Sequence, residues 1–411
     1  MIKNMIQPRT LKGFRDFLPQ EVRKRNYVIE TLKRVFESYG FEPLETPSLE
    51  YEDILLGKYG EEGDKLMYRF EDNGGRRVAL RYDQTVPLAR VVAQYQNDLP
   101  LPFKRYQISN VWRAENTQKG RYREFLQCDA DIIGTSSVIA DAELLGLVID
   151  IYKELKLDVI IKINDRANFE SLDKKYVSVI DKLEKLGEST VLSEMIEKGM
   201  SDADARSTLK SLQDKPMTEN LKQVLDVLES MGKDTSKVQY EPTLARGLDY
   251  YTGMIFETIA QNSAGSICSG GRWDKMIGLF TGQNQPAVGF GLGFDRTVEV
   301  LEEQNLLPKK FATTQVLVSI PSNKLKQTTL KITSMLRSKN INAETWLDES
   351  KLEKQFKYAE KKEIPYVVVP IDDKTVELRT KSQAPSRSAT GQAGEIVKKI
   401  VELNSLPNEI K

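Results

Sequence analysis

The chain has 411 residues, with 60 Lys+Arg, 60 Asp+Glu, two cysteines and no histidine. The missing histidine excludes every mechanism built on imidazole: Ser-His-Asp and Cys-His triads, HExxH metal sites and His-centred pH switches. Two widely separated cysteines do not make a four-ligand zinc site, and a net charge of zero denies the chain the global basic footprint of a dedicated nucleic-acid binder.

The length suits two or three domains, and 40% hydrophobic with 29% charged residues is globular composition. The N-terminus MIKNMIQPRT has no apolar signal region, and no run approaches the ~18 apolar residues of a membrane span. A soluble cytoplasmic protein is expected, with Cys128 and Cys268 as small buried residues in a reducing compartment.

In chain order, Pro19 to Gly40 reads as a helix: proline at the start, Glu21 in the first turn, Ile29, Leu32, Phe36 and Tyr39 at helical spacing, and glycine at the end. From there to about residue 135 the pattern is mostly of strands. Val78, Leu80 and Tyr82 alternate with Ala79, Arg81 and Asp83, as in a half-buried strand. Strands in succession with few crossover helices predict an antiparallel sheet and an α+β fold.

Residues from about 138 to 156 predict a helix, and Asp158 to Ile163 a strand. The stretch from about 168 to 238 is charged, helix-favouring and nearly free of strand signals, so it reads as a helical insertion before strands resume at Met254 to Ile259 and near Ala287. A charged, leucine-rich linker at about 300–313 precedes a third composition. There Gln315 to Ile320, Ala343 to Leu347 and the apolar Tyr366 to Ile371 read as strands alternating with helices, the sign of a small parallel or mixed α/β domain over 314–411.

The most informative region is Phe103 to Asp131, two strand-like arms around the polar loop Asn116 to Gly120. Odd positions carry Val111, Arg113 and Glu115, then Arg121, Arg123, Phe125, Gln127, Asp129 and Asp131; even positions carry Leu126, Cys128, Ala130 and Ile132. One face is therefore apolar and the other is crowded with hydrogen-bonding groups. A solvated sheet face would give the same alternation. Two details favour a binding face instead: Phe125 offers an aromatic surface to a planar ligand, and between Lys104 and Arg123 six basic residues stand against one acid, an excess suited to phosphates.

Three further segments carry punctuation of interest. LARGLDYYTGMIFE, 244–257, sets Arg246 before adjacent tyrosines and a turn; a tyrosine-rich core turn would look alike. SICSGGRWDKMIG, 266–278, has glycines that permit close backbone approach or simply a tight turn. AVGFGLGFDR, 287–296, runs from strand to helix but lacks the βαβ setting of a dinucleotide fingerprint, so its glycines read as close strand-on-helix packing with Arg296 in the first turn.

Taken together and in order, these segments resemble the histidyl-tRNA synthetases, a family of class II aminoacyl-tRNA synthetases, over essentially the whole length. Pro47 in GFEPLETPSLE is similar to the proline of motif 1, whose helix and strand build the family's dimer interface. RAE at 113–115 with GRYREF at 120–125 resembles motif 2, and GLGFDR at 291–296 resembles motif 3. RGLDYYTG at 246–253 and SGGRWD at 269–274 are similar to the two signatures separating this family from other class II members; the first is the more specific, since motifs 2 and 3 identify only the class.

The resemblance implies a class II catalytic core over 1–313 and an anticodon-binding domain over 314–411, where LEKQFKYAEKKEIPYVVV fits the family pattern. It implies a homodimer, tRNA, L-histidine and ATP as partners, Mg²⁺ on the β and γ phosphates, and no zinc. The implied reaction is adenylation of histidine followed by transfer to the 3′ end of tRNA. Carboxylate attack on the α-phosphate gathers negative charge, which fixed guanidinium groups neutralise without titrating. By family position Arg113 holds the α-phosphate and the substrate carboxylate, and Arg246 is an extra arginine against the α-phosphate. Arg296 clamps the γ-phosphate, Glu115 and Arg121 help fix ATP, and Phe125 stacks on adenine.

For the amino acid, the family pattern gives the ammonium to Asp83, Thr85 and Gln127, and the imidazole nitrogens to Asp131 and Tyr251. Discrimination then comes from polar groups left unpaired by a wrong side chain. On the strand reading, Asp83 and Thr85 share parity, as do Gln127 and Asp131. The sequence departs from the family at Trp273, usually tyrosine, at Ser269, often glycine, and at Leu126, often His or Tyr. The rival reading is a synthetase-like regulatory subunit of ATP phosphoribosyltransferase, a binding protein; such paralogues lack the C-terminal domain and tend to lose the RGLDYY arginine, and this chain keeps both.

Overall fold

The computed structural model describes residues 6–410 apart from 59, 118–119, 247–249, 262, 264, 309–312 and 382–395. Parts of the hairpin loop, of the RGLDYYTG segment and of the linker thus lie outside the described residues. The chain divides into two compact units, Met1–Leu307 and Pro308–Lys411.

The first helix spans Pro19–Ser38, with proline at its first turn and Glu21 accepting from the Leu18 amide at 2.9 Å. It buries Val28, Leu32, Val35 and Phe36 on one face, and Gly40 turns the chain away at φ +75°. Each such side chain contributes about 1.5–3 kcal/mol of burial, which is why the stripe and not the terminal glycine fixes the helix.

That face packs on an eight-stranded sheet built from β1 (Glu42–Pro43), β5 (Phe103–Trp112), β6 (Glu124–Ile133), β7 (Val159–Asp165), β8 (Val238–Tyr240), β9 (Met254–Ala260), β10 (Ser266–Arg272) and β11 (Ala287–Gly293). Their order is β1-β5-β6-β11-β10-β9-β7-β8. The six inner strands pair antiparallel, and only the edge pairs β1–β5 and β7–β8 are parallel. Three short strands, β2 (Leu49–Tyr51), β3 (Arg69–Glu71) and β4 (Arg77–Leu80), form a separate sheet in the order β2-β4-β3.

The even residues Cys128, Ala130 and Ile132 of β6 share one core with helices Pro19–Ser38, Val138–Glu154, Glu219–Ser230 and Phe294–Glu303. On the opposite face, Phe103, Ile133, Trp273 and Ala287 join Val86, Leu88 and Ala89 of helix Thr85–Gln94 in a second core. The odd-numbered polar side chains of the hairpin lie on that second face.

Between β7 and β8 the chain is helical. Four helices between Lys174 and Gln213 enclose their own core around Val177, Leu192, Met195 and Leu209. Helix Glu219–Ser230 is different: Leu221, Val224 and Leu228 belong to the main core.

The second unit is a five-stranded sheet in the order β13-β12-β14-β15-β16. β12 (Val316–Val318), β13 (Ala343–Thr345) and β14 (Tyr366–Pro370) run parallel, with helices Lys326–Ser338 and Leu352–Lys361 between them. The antiparallel strands β15 (Thr375–Lys381) and β16 (Ile396–Glu402) complete a mixed sheet. Val376 and Leu378 bury one face of β15, an alternation that the charged residues around them disguise.

One expectation is refined and one corrected. The elements over residues 41–135 are mostly strands, as expected, with helices at Glu52–Leu55, Gly60–Lys65 and Thr85–Gln94 among them. The strand expected through Asp83 ends at Leu80. Asp83 is a helix-capping residue: its Oδ1 accepts from the amides of Thr85 at 3.1 Å and Val86 at 3.4 Å.

Candidate active site

The eleven residues singled out in the sequence come from four segments, and all of them line one cleft of about 420 Å³ on the hairpin face of the large sheet. Asp83 and Thr85 enter from the start of helix Thr85–Gln94. Gln84 between them is fully buried and donates to the carbonyls of Ser109 at 3.1 Å and Gln127 at 2.9 Å, fastening that helix start to both arms of the hairpin. The strand parity expected for Asp83 and Thr85 is therefore wrong, while their convergence with Gln127 stands, carried by a glutamine to which the sequence drew no attention.

Arg113 follows β5. Its Nε donates to the Tyr82 carbonyl at 3.1 Å and its Nη2 to Oε1 of Gln127 at 3.3 Å. The guanidinium carbon lies 4.4 Å from the Tyr82 ring centroid and 5.2 Å from that of Phe125. A half-buried guanidinium held on three sides keeps one geometry, which is what stabilisation of developing charge requires. Glu115 pairs with Arg121 at 3.5 Å near the open side of the cleft.

Arg296 sits in the first turn of helix Phe294–Glu303 and donates to the Ser266 carbonyl at 2.7 Å. Burial, and then repulsion from Arg121 and Arg246, pushes its proton affinity below the ordinary arginine range. Three guanidiniums from three segments are thus close enough to oppose one another, and a polyphosphate is the ligand that relieves the opposition.

Its neighbour Asp295 is buried between Arg15, at 2.9 Å, and Arg25, and accepts from the Leu126 amide at 3.2 Å. Arg246, 42% exposed, pairs through Nε with the buried carboxylate of Glu257 at 2.6 Å. Burial raises the Glu257 affinity for a proton and Arg246 opposes the rise.

The floor of the cleft is acidic. Asp131 is 3% exposed and pushed up to about 6 by burial, against Arg105, whose Nη2 lies 2.6 Å from Oδ2, and against a hydrogen bond from the Trp273 indole. Among the described residues, Oδ2 and the Arg105 nitrogens make no well-directed hydrogen bond, so the contact is ionic. Asp129 is pushed up to about 8, again by burial first, with Arg105 opposing and Asp131 adding. Tyr250 and Tyr251 pack with ring centroids 4.3 Å apart and planes tilted by 45°, and burial raises the Tyr251 hydroxyl well above its ordinary range, keeping it a neutral donor.

Gly289 and Gly291 of β11 serve this floor and not the strand-on-helix packing expected of them, while Gly293 does lie against the helix, where a Cβ would be 3.9 Å from that of Arg296. A Cβ on Gly289 would lie 1.8 Å from Oδ1 of Asp131, and one on Gly291 would lie 3.2 Å from Oδ1 of Asp129 and 3.3 Å from Nε2 of Gln127. Leu126 packs toward the main core, as its even position implies. Trp273 is buried at the wall of the pocket. Arg105, Asp129 and Tyr250 are cleft-side residues that sequence reasoning did not select; for the first two the signal was available, since both share the odd parity of the hairpin face.

A largely antiparallel sheet whose long hairpin carries an arginine-lined cleft, closed by a strand-to-helix segment ending in arginine, is the catalytic architecture of class II aminoacyl-tRNA synthetases. The histidyl-tRNA synthetase family model matches residues 13–297, and the anticodon binding domain model matches 315–404. Histidine-tRNA ligase of Flavobacterium johnsoniae is 38% identical over 94% of this chain and 96% of its own length. That of Rhodopirellula baltica is 40% identical over 87% and 88%. The crystal structure of histidyl-tRNA synthetase from Nostoc sp. PCC 7120 superposes with a TM-score of 0.83 at 30% identity, covering 98% of this chain and 99% of that one. The chain belongs to the histidyl-tRNA synthetase family.

Proposed function

We propose that the chain is a histidine-tRNA ligase that activates L-histidine with ATP in this cleft and transfers it from the adenylate to the 3′ end of its tRNA. The observation that supports this most is the convergence of the eleven residues on one cavity, in a chain whose relatives at comparable length bear that name. The rival regulatory subunit loses ground for the same reason, since the relatives at 38–40% identity over most of the chain are ligases.

In the first step the histidine carboxylate attacks the α-phosphate and pyrophosphate leaves. Arg113 and Arg246 bind and neutralise the charge that gathers there. Phe125 stacks on adenine, Glu115 and Arg121 fix the nucleotide, and Arg296 takes the γ-phosphate. Asp83, Thr85 and Gln127 receive the ammonium; Asp131 and Tyr251 receive the two imidazole nitrogens. In the second step a ribose hydroxyl of the tRNA end attacks the carbonyl and AMP departs.

Mg²⁺ would enter with ATP and supply further neutralisation of polyphosphate charge beside Arg113, Arg246 and Arg296. The cleft acids are already engaged, Asp295 by two arginines and Asp129 by Gln127, and among the described residues no cluster of three metal-ligating side chains occurs. A zinc role does not fit the donors: Cys128 and Cys268 are both buried on strands that flank β11. We place the protein in the cytoplasm, where its tRNA is charged, as a homodimer, a reading of assembly supported by Leu49, Tyr51 and Phe70 exposed on the three-stranded sheet; among the described residues no helix is long and apolar enough to cross a membrane.

The test is exchange of pyrophosphate into ATP by purified protein. Exchange should depend on L-histidine and not on the other nineteen amino acids. No exchange would sink the ligase reading, and a better substrate than histidine would overturn the substrate. We further propose 1–313 as the catalytic domain and 314–411 as the anticodon reader. Deletion after residue 313 should then spare exchange but weaken tRNA charging; equal charging by the shortened chain would refute the second assignment.

A further inference from the structure

Asp129 is a buried carboxylate that none of the steps above uses. It lies on β6 two residues from Gln127 and two from Asp131, on the cleft side of the strand. Nε2 of Gln127 lies 2.8 Å from its Oδ1 and 3.0 Å from its Oδ2. Across the sheet a bare glycine, Gly291, faces this pair, where a Cβ would come within 3.2 and 3.3 Å of the two groups. The other end of the same amide, Oε1, points at Arg113.

A primary amide can be turned by half a revolution with little change in shape, exchanging an acceptor for a donor. Gln127 meets an ammonium group usefully only with oxygen outward. An ionised carboxylate accepts and never donates, so with Asp129 ionised the Gln127 nitrogen must face it and the oxygen must face the cleft. We propose that Asp129 is a positioning residue for histidine, one that fixes the polarity of the Gln127 amide and so presents Oε1 to the substrate ammonium. This rests on the reading of Gln127 as an ammonium ligand.

The arrangement has a cost that can be measured. Arg105 and Arg81 are the cations whose charge reaches Asp129, against the acids Asp131 and Asp83; Tyr250, Cys268 and Cys128 also feel its charge. Because burial pushes Asp129 up to about 8, the folded chain holds a proton there that the unfolded chain has lost above about 4. Stability therefore falls as pH rises from about 4 to about 8. An asparagine escapes this loss.

The experiment is calorimetric titration of the full chain at pH 8 with L-histidine, with L-histidinol, which keeps the ammonium, and with imidazole-4-propionate, which lacks it. Asp129→Asn should weaken L-histidine and L-histidinol about tenfold, leave imidazole-4-propionate within about twofold, and melt no earlier than the parent at pH 8. Equal weakening of all three ligands, no weakening of any, or an earlier melt would overturn the proposal and leave Asp129 as a structural residue. Gln127→Ala separates the two readings. If it retains the parent's preference for the ammonium-bearing ligands, the ammonium assignment of Gln127 itself fails; if it loses that preference while Asp129→Asn keeps it, only the positioning role fails.

Discussion

Replacing Arg246 by alanine is expected to lower histidine-dependent pyrophosphate exchange on the order of 10²- to 10³-fold, the loss seen when one fixed donor to a developing anion is removed. The side chain is held from behind by Glu257 at 2.6 Å, yet remains 42% exposed toward the cleft. It is therefore aimed without being consumed by its partner. No neighbouring acid-base group stands ready to take over its work, since the chain has no histidine and burial pushes Tyr250 and Tyr251 upward.

The variant has one predictable side effect. Glu257 would be left buried without its cation, which costs stability and raises its proton affinity further. Arg246→Ala combined with Glu257→Gln should recover the melting temperature and none of the exchange. If the double variant regained exchange, Arg246 would be a support for Glu257 and not a phosphate ligand.

The second large effect is expected at Gly289. A single methyl there would overlap Oδ1 of Asp131 at 1.8 Å and approach the Ala130 carbonyl at 3.0 Å. Neither neighbour can yield: the carbonyl belongs to the β6–β11 pairing, and the carboxylate is pinned by Arg105 on one side and Trp273 on the other. Gly289→Ala should thus raise the KM for histidine by more than about 100-fold, with an accompanying loss of about 1–3 kcal/mol in stability. KM for ATP should change little, because none of the residues proposed to hold the nucleotide, Arg113, Phe125 and Arg296, is among the nearest neighbours of the methyl. A parallel rise in both constants would mean that the whole sheet has shifted and that Asp131 has no special part in histidine recognition.

The difference between what could and could not be read from sequence follows the distance along the chain between partners. The hairpin was legible because its information is local: alternation from Arg121 to Asp131 separates a core face from a functional face within a dozen residues. Asp83 misled because alternation over Val78 to Asp83 is the same whether the chain goes on extended or turns to cap a helix. The cue that breaks the tie was present, an acid followed closely by Thr85 and by Pro87 in the first helical turn.

The glycines of β11 could not be interpreted at all without knowing that β6 is the neighbouring strand, in a register that sets Gly289 opposite Asp131, 158 residues earlier (289 − 131 = 158). Arg105 with Asp131 was hidden in part for the same reason, since an ion pair across strands depends on register, and Arg246 with Glu257 joins a loop to a strand.

The clasp at Asp295 has a metrical consequence. Its carboxylate ties the backbone beside Phe125 to the residue beside Arg296, and two arginines hold it in place. If Phe125 takes the adenine and Arg296 the last phosphate, the two ends of the nucleotide are gripped by points whose separation the protein sets in advance. The cleft then works as a gauge of chain length: a triphosphate spans it, while a diphosphate that seats its base stops short of the far grip.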